Sequence, residues 1–199
     1  MFDEQSGLAQ WQASHDRVGV TGFYYNKLFL CFLFARYHEA VAIADLASED
    51  EDIAGGWFCR SRICCFDSLA RLAVFPEGSW KEKRKISRRV SANQKRLKKW
   101  ARHAPMNHLH LYHLVEAERG QVRGEAIAAA AHYEQAVSLS RASGFINDAA
   151  LALELAGQFH LRVGKTRTAK ALLQEARDAY QEWGAQAKVK DLVTRSLSR

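Results

Sequence analysis

The sequence predicts an all-α protein built from tandem helical hairpins, and three observations support this. From Tyr24 onward, nearly every segment places apolar residues at helical spacing, and no alternating strand with a hairpin signal is visible. The 199 residues include only two prolines and twelve glycines, which favours long helices over turn-rich β structure. Glycines also recur at fixed intervals along the chain. The predicted helices cover residues 20–35, 38–48, 55–74, 78–102, 107–121, 125–142, 147–162, 166–183 and 186–197.

Glycine and proline account for the predicted helix ends. Glycine readily adopts the positive φ of a helix C-terminus, and proline fixes the φ of a helix start. The residues at the predicted breaks are Gly55, Gly56, Pro76, Pro105, Gly124, Gly144, Gly164 and Gly184.

The C-terminal half of the chain repeats itself at an interval of 40 residues. In each copy, a glycine is followed at intervals of five, four and three by alanine, a large residue and alanine. The two sets are Gly124, Ala129, Tyr133 and Ala136, and Gly164, Ala169, Leu173 and Ala176. Small residues let two antiparallel helices approach closely, so each copy is predicted to be a helical hairpin that packs on its neighbours. A weaker copy is formed by Ala35, Ala40, Ala44 and Ala47.

The last copy resembles the tetratricopeptide repeat. The consensus of that repeat has Gly, Gly, Ala, an aromatic residue and Ala at the intervals of Gly157, Gly164, Ala169, Leu173 and Ala176. The resemblance implies a right-handed superhelix of about four helical hairpins with a C-terminal capping helix. It implies a single domain over residues 20–199, preceded by a partly ordered lead-in segment over residues 1–19.

Five stretches resemble the helical-repeat region of large multidomain signalling kinases. They are Phe34–Ala40, Ala92–Trp100, His113–Glu118, Ala136–Phe145 and Trp183–Leu192. In that family, the region lies between an AAA-type ATPase, itself preceded by a Ser/Thr kinase-like domain, and downstream GAF and histidine-kinase domains. The resemblance implies a fragment or freestanding remnant that acts as a non-catalytic scaffold in signal transduction. The motifs of the family's kinase and ATPase domains are missing from these 199 residues, so no enzymatic activity is predicted.

Candidate contact residues follow from the repeat. Such repeats usually bind partners on the concave side, which is lined by the first helix of each hairpin. The residues mapped to that side are Glu118, Gln121, Glu154, Gln158 and Arg162. The expected partner is another protein or the flanking domains of the same polypeptide, and the alternative is that these residues form ordinary polar surface.

One segment dominates the net charge of +7. Lys81–Arg102 contains eleven Lys or Arg residues and a single acid, Glu82. An apolar face is predicted along it, formed by Ile86, Val90, Leu97 and Trp100. The polar face, on which no aromatic residue is expected, is interpreted as solvated or as facing an acidic partner. The alternative function is binding of nucleic acid or an anionic membrane surface through Lys95, Arg96, Lys98 and Lys99.

The remaining candidate motifs favour structural roles. Cys31, Cys59, Cys64 and Cys65 are interpreted as buried thiols, because their spacing matches no standard zinc site. The group His103, His108, His110 and His113 is interpreted as surface or cap histidines. Val163–Thr166 lacks the upstream glycine of a phosphate loop and is predicted to be a helix turn. No cofactor, metal or small-molecule substrate is therefore predicted.

The location of the protein is predicted from two further patterns. No apolar run approaches the roughly 20 residues that are needed to span a bilayer. Residues 1–20 carry acids and polar groups where a signal peptide has a basic start and an apolar core. These patterns favour a cytoplasmic protein.

Overall fold

The computed structural model describes residues 4–48 and 59–197, and within these ranges the chain is all-helical, which confirms the all-α class. The helices are α1 (Glu4–Ala13), α2 (Arg17–Leu33), α3 (Tyr37–Ser48), α4 (Cys59–Val74), α5 (Trp80–His103), α6 (Pro105–Val122), α7 (Ala126–Ala142), α8 (Ile146–Arg162), α9 (Thr166–Glu182) and α10 (Gln186–Leu197). A short 3-10 helix over Phe75–Glu77 precedes α5. Helix ends differ from the predicted ones by at most three residues, and the predicted helix start at 55–58 lies outside the described residues.

Helix α1 lies in the segment 1–19, for which a partly ordered lead-in and no helix was predicted. Its sequence carries only Leu8 and Trp11 as large apolar residues, which is too few to show a helical period. The helix packs on α2 through Trp11 and Phe23, whose ring centroids are 6.4 Å apart. Helix α2 begins at Arg17 because the Asp16 carboxylate accepts a hydrogen bond from a backbone N–H of the first turn.

The backbone contacts group the chain into two compact units, residues 1–93 and 94–199. In the first unit, α2, α3 and α4 pack on one another, and the rings of Phe29 and Phe66 meet edge to face at 5.0 Å. In the second unit, α6 pairs with α7, α8 pairs with α9, and α7 also contacts α8. All four cysteines are buried and none forms a disulfide bond, which confirms the prediction of buried thiols. The division into a lead-in over 1–19 and one domain over 20–199 stays a prediction.

Four glycine turns connect the helices of the second unit, as predicted. Gly124, Gly144, Gly164 and Gly184 have φ values of 76°, 74°, 78° and 86°. In each turn, the residue after the glycine donates its N–H to the carbonyl five residues earlier, at 2.9 Å. This pattern is the Schellman motif, in which a residue with a left-handed backbone conformation ends the helix. Val163–Thr166 forms one of these turns, which confirms the predicted helix turn.

The close helix approach predicted from the small residues is also present. A Cβ atom built on Gly120 would lie 3.3 Å from the Cβ of Ala129, and one on Gly157 would lie 2.7 Å from the Cγ of Leu173. Ala129 and Ala169 are completely buried. Glycine on the first helix and alanine on the second therefore set the spacing within each pair of helices.

The first unit contains the same turn without a glycine. Ala35 has a φ of 58°, and Arg36 donates its N–H to the Cys31 carbonyl at 2.8 Å. Ala40 and Ala44, which follow at the spacing of the weaker copy, are completely buried. Ala35 thus occupies the position that Gly124 and Gly164 hold in the second unit.

Replacing Ala35 with glycine is expected to stabilise the protein. A left-handed conformation costs a residue with a Cβ atom about 1–2 kcal/mol, and the extra freedom of glycine in the unfolded chain offsets part of that gain. We expect Ala35→Gly to raise the free energy of unfolding by about 0.5–1 kcal/mol in urea titrations followed by circular dichroism. The control is Ala42→Gly at an exposed position inside α3, which should lower stability by about 1 kcal/mol. A loss of stability in both variants would contradict the assignment of Ala35 to this turn.

Candidate contact face and basic helix

A buried carboxylate links three helices of the second unit. Glu118, on α6, is only 7% exposed, and its Oε1 accepts a hydrogen bond from the Tyr133 hydroxyl of α7. The Gln121 amide donates to the other oxygen of Glu118 at 3.4 Å. The Arg162 guanidinium, at the end of α8, donates to the Gln121 side-chain carbonyl. The four side chains form one network, which we call the Glu118 cluster.

Burial sets the protonation of the Glu118 cluster. It raises the pKa of Glu118 above the usual range of a carboxyl group, while the Tyr133 hydroxyl and the Arg162 guanidinium act in the opposite direction. Burial and the adjacent carboxylate raise the pKa of the Tyr133 phenol well above 10. The phenol therefore stays protonated at neutral pH and serves as a hydrogen-bond donor.

In a second cluster, a buried glutamate again accepts a hydrogen bond from a tyrosine of the next helix, and it also forms a buried ion pair. Glu154, on α8, is 3% exposed and accepts from the Tyr180 hydroxyl of α9 at 2.8 Å. Lys188, on α10, is 1% exposed, and its Nζ lies 2.9 Å from Glu154 Oε1 and 3.0 Å from Asp191 Oδ2. The Gln158 amide donates to Glu154 at 3.1 Å. This Glu154 cluster joins α8, α9 and α10.

The structure brings the five predicted contact residues into these two clusters. Glu118 and Glu154 are buried, Gln121 and Gln158 are half-buried, and Arg162 is exposed. A partner could therefore reach Gln121, Gln158 and Arg162, whereas the two carboxylates are engaged inside the fold. Their role as contacts stays a prediction.

Sequence analysis missed the donors that hold these carboxylates. Tyr133 occupies the repeat position that Leu173 fills in the next copy, and a phenol in a buried position requires a hydrogen-bond acceptor. That difference was the available signal for the Glu118 cluster. Nothing in the sequence distinguishes the buried Lys188 from the exposed Lys190 of the same helix.

The histidine group is not uniformly at the surface, so this interpretation was wrong for His110. His110 is 2% exposed, its Nε2 lies 3.0 Å from Asp148 Oδ2, and its ring stacks on Phe145 at 4.9 Å. Its partners stand at the start of α8, where Phe145 is the N-cap residue and Asp148 lies in the first turn. The Nδ1 atoms of His113 and His132 are 2.9 Å apart, and burial lowers the pKa of His113, helped by His132. In the described ranges, no three potential metal ligands assemble at one point.

The basic helix α5 has the apolar face that was predicted. Ile86, Val90 and Leu97 are buried, and Trp100 is half-buried. The helix begins with a capping box, in which Glu82 accepts from the Ser79 backbone N–H at 2.7 Å and from the Ser79 hydroxyl at 2.6 Å. These bonds lower the pKa of Glu82. The one acid among the eleven cations therefore folds back onto the helix start.

The cations of α5 fall into two groups. Near its C-terminus, the predicted anion-binding residues Lys95, Lys98 and Lys99 are exposed, and Arg96 is half-buried. Near its N-terminus, Lys81, Arg84, Lys85 and Arg88 are exposed and line a groove together with Trp80.

Trp80 corrects the expectation that the polar face carries no aromatic residue. Its side chain is 67% exposed. The residue stands immediately before the basic segment Lys81–Arg102, and a single aromatic residue at a helix start has no periodic signature.

Comparison with known proteins gives no match to a protein-family model, a curated protein or a solved structure. Among the described helices, none has both the length and the apolar character that a bilayer crossing requires.

Proposed function

We propose that this protein is a non-catalytic interaction scaffold, in which tetratricopeptide-like hairpins form a right-handed superhelix that contacts proteins or adjoining domains. The observation that carries the proposal is the repetition of one helical pair. The pairs α6–α7 and α8–α9 share the small residues at their closest approach and end in the same glycine turn. Units of this kind bury their apolar faces against one another and present the surface of their first helices to partners.

The chemistry of the second unit supports a scaffold rather than an enzyme. The carboxylates Glu118 and Glu154 accept hydrogen bonds from buried phenols, and Lys188 neutralises Glu154 inside the fold. These groups hold helices together, and the same arrangement in both clusters favours a structural role. The partner surface that we propose consists of Gln121, Gln158 and Arg162.

The setting that we propose is a cytoplasmic signalling kinase. The five stretches that resemble the helical-repeat region of multidomain kinases support it. In that setting, the scaffold would dock between an ATPase domain and the downstream GAF and histidine-kinase domains, and it would pass a conformational signal between them.

The test combines transcript mapping with a binding measurement. The ends of the native transcript are determined, any adjoining domain is expressed separately, and its affinity for the 199-residue chain is measured by titration calorimetry. We expect binding that Arg162→Glu weakens by about tenfold or more, because arginines are frequent hot spots of interfaces. The matched control is Arg167→Glu on α9, an arginine that is also exposed and lies outside the proposed surface.

Two results would contradict the proposal in different ways. Start and stop codons that bracket these residues would remove the kinase setting. Binding that Arg162→Glu and Arg167→Glu affect equally would refute the proposed surface, provided that both variants keep the helical content of the parent chain.

A further inference from the structure

We propose that the first two turns of α5 bind a single-stranded nucleic acid, with Trp80 stacking on a base and the neighbouring cations contacting phosphates. This inference is independent of the scaffold function, because it uses residues of the first unit only. The proposed site consists of Trp80, Lys81, Arg84, Lys85 and Arg88.

The geometry of this site exposes an aromatic ring among cations. Trp80 is 67% exposed, and the five residues line a groove of about 290 Å³. The Lys81 ammonium lies 5.9 Å from the centre of the Trp80 ring. An aromatic face flanked by positive charge is the arrangement with which proteins hold a nucleotide, by stacking on the base and pairing with the phosphate.

The four cations share one face of the helix and are not used within the fold. Lys81, Arg84, Lys85 and Arg88 are separated by three, one and three residues, so they lie on one side of α5. In the part of the chain that the structure describes, no carboxylate forms a salt bridge with any of them. Arg89 shows the contrast, because it pairs with the buried Asp67 at 2.8 Å. The positive charge at this site is therefore available to an external polyanion.

Two features favour an unpaired strand over the other polyanions. A duplex hides the faces of its bases, whereas a single strand offers every base for stacking on Trp80. A helix that binds an anionic membrane inserts a continuous apolar face, but the aliphatic residues of this part of α5, Ile86 and Val90, are buried in the protein. Trp80 thus has a stacking partner in a single strand that a duplex does not provide, and this part of α5 lacks the continuous exposed apolar face that inserts into a membrane.

The experiment measures fluorescence anisotropy of labelled oligouridine and oligothymidine of about 12 nucleotides with the full chain. We expect both to bind, with affinity falling as salt rises. The slope of log affinity against log salt should be about −3 if all four cations contact phosphates. Trp80→Ala should weaken binding about tenfold, Trp80→Phe should restore most of it, and reversal of the four cations to Glu should abolish it.

A charge-matched control separates this site from general electrostatic attraction. It reverses Lys165, Arg167, Lys170 and Arg177, four exposed cations of the second unit, to Glu and should leave most of the binding intact. Equal losses in the two quadruple variants would overturn the proposal. Full binding by Trp80→Ala, or equal affinity for a duplex of the same length, would also overturn it. Complete competition by phosphatidylserine vesicles that Trp80→Ala does not weaken would assign the cations to a membrane surface instead.

Discussion

Replacement of Lys188 with methionine is expected to lower the free energy of unfolding by about 3–5 kcal/mol. The substitution keeps the length of the side chain but removes the charge that neutralises Glu154 at 2.9 Å, in a position that is 1% exposed. A buried carboxylate that loses its paired cation keeps its desolvation cost without the compensating attraction. Urea unfolding followed by circular dichroism at 222 nm measures the effect.

Two further variants identify the cause of that loss. Lys190→Met, an exposed lysine on the same helix, should change stability by less than about 0.5 kcal/mol. The double variant Glu154→Leu with Lys188→Met removes both charges and should recover at least half of the loss, because an apolar pair can replace a buried ion pair at little cost. Equal stability of Lys188→Met and Lys190→Met would show that the Glu154 cluster contributes nothing to the fold.

Asp67 is a buried acid at the centre of a network in the first unit, and Asp67→Ala is expected to lower the free energy of unfolding by about 3–5 kcal/mol. The Asp67 side chain is fully buried and accepts from Arg71 Nε at 2.6 Å, from Arg89 Nε at 2.8 Å and from Asn93 Nδ2 at 2.8 Å. Its removal leaves the 5% exposed Arg71 with a single acidic partner and takes away an acceptor of the buried Asn93 amide. Urea unfolding of the whole chain measures the loss, and hydrogen exchange of α4 and α5 peptides locates it.

Asp45→Ala is the control, because Asp45 contacts the same arginine from the surface. Its side chain is 57% exposed, and exposed ion pairs contribute at most about 1 kcal/mol. Asp45→Ala should therefore be much milder than Asp67→Ala. If the two variants lost equal stability, Asp67 would not be the centre of this network.

The helices and turns could be predicted because their causes are local. A glycine at 124, 144, 164 or 184 ends a helix through its own φ, and the small residues of the repeat report the close approach of two helices. The first helix was missed because its contacts with α2, and not a period of its own, hold it in place. Trp11 against Phe23 is such a contact.

The clusters were only half predictable because their members come from distant parts of the chain. The repeat indicated Glu118, Gln121, Glu154, Gln158 and Arg162, but not what holds them. Glu154 and Lys188 are 34 residues apart, and His110 and Asp148 are 38 apart. A single sequence carries no signal for such pairs, because each residue taken alone cannot be distinguished from a polar residue at the surface. Only the packing of the helices shows that these charges are internal.

The surface proposed for the scaffold can be tested most directly by nuclear magnetic resonance on the 22.5 kDa chain. The unlabelled adjoining domain is added to the ¹⁵N-labelled protein. Chemical-shift changes are then measured for the backbone amides, for the side-chain amides of Gln121 and Gln158, and for the Nε–H group of Arg162. We expect the largest changes to cluster around these three residues, on α6 and α8. Changes confined to α7 and α9, or no changes at all at saturating concentration, would contradict the proposed surface.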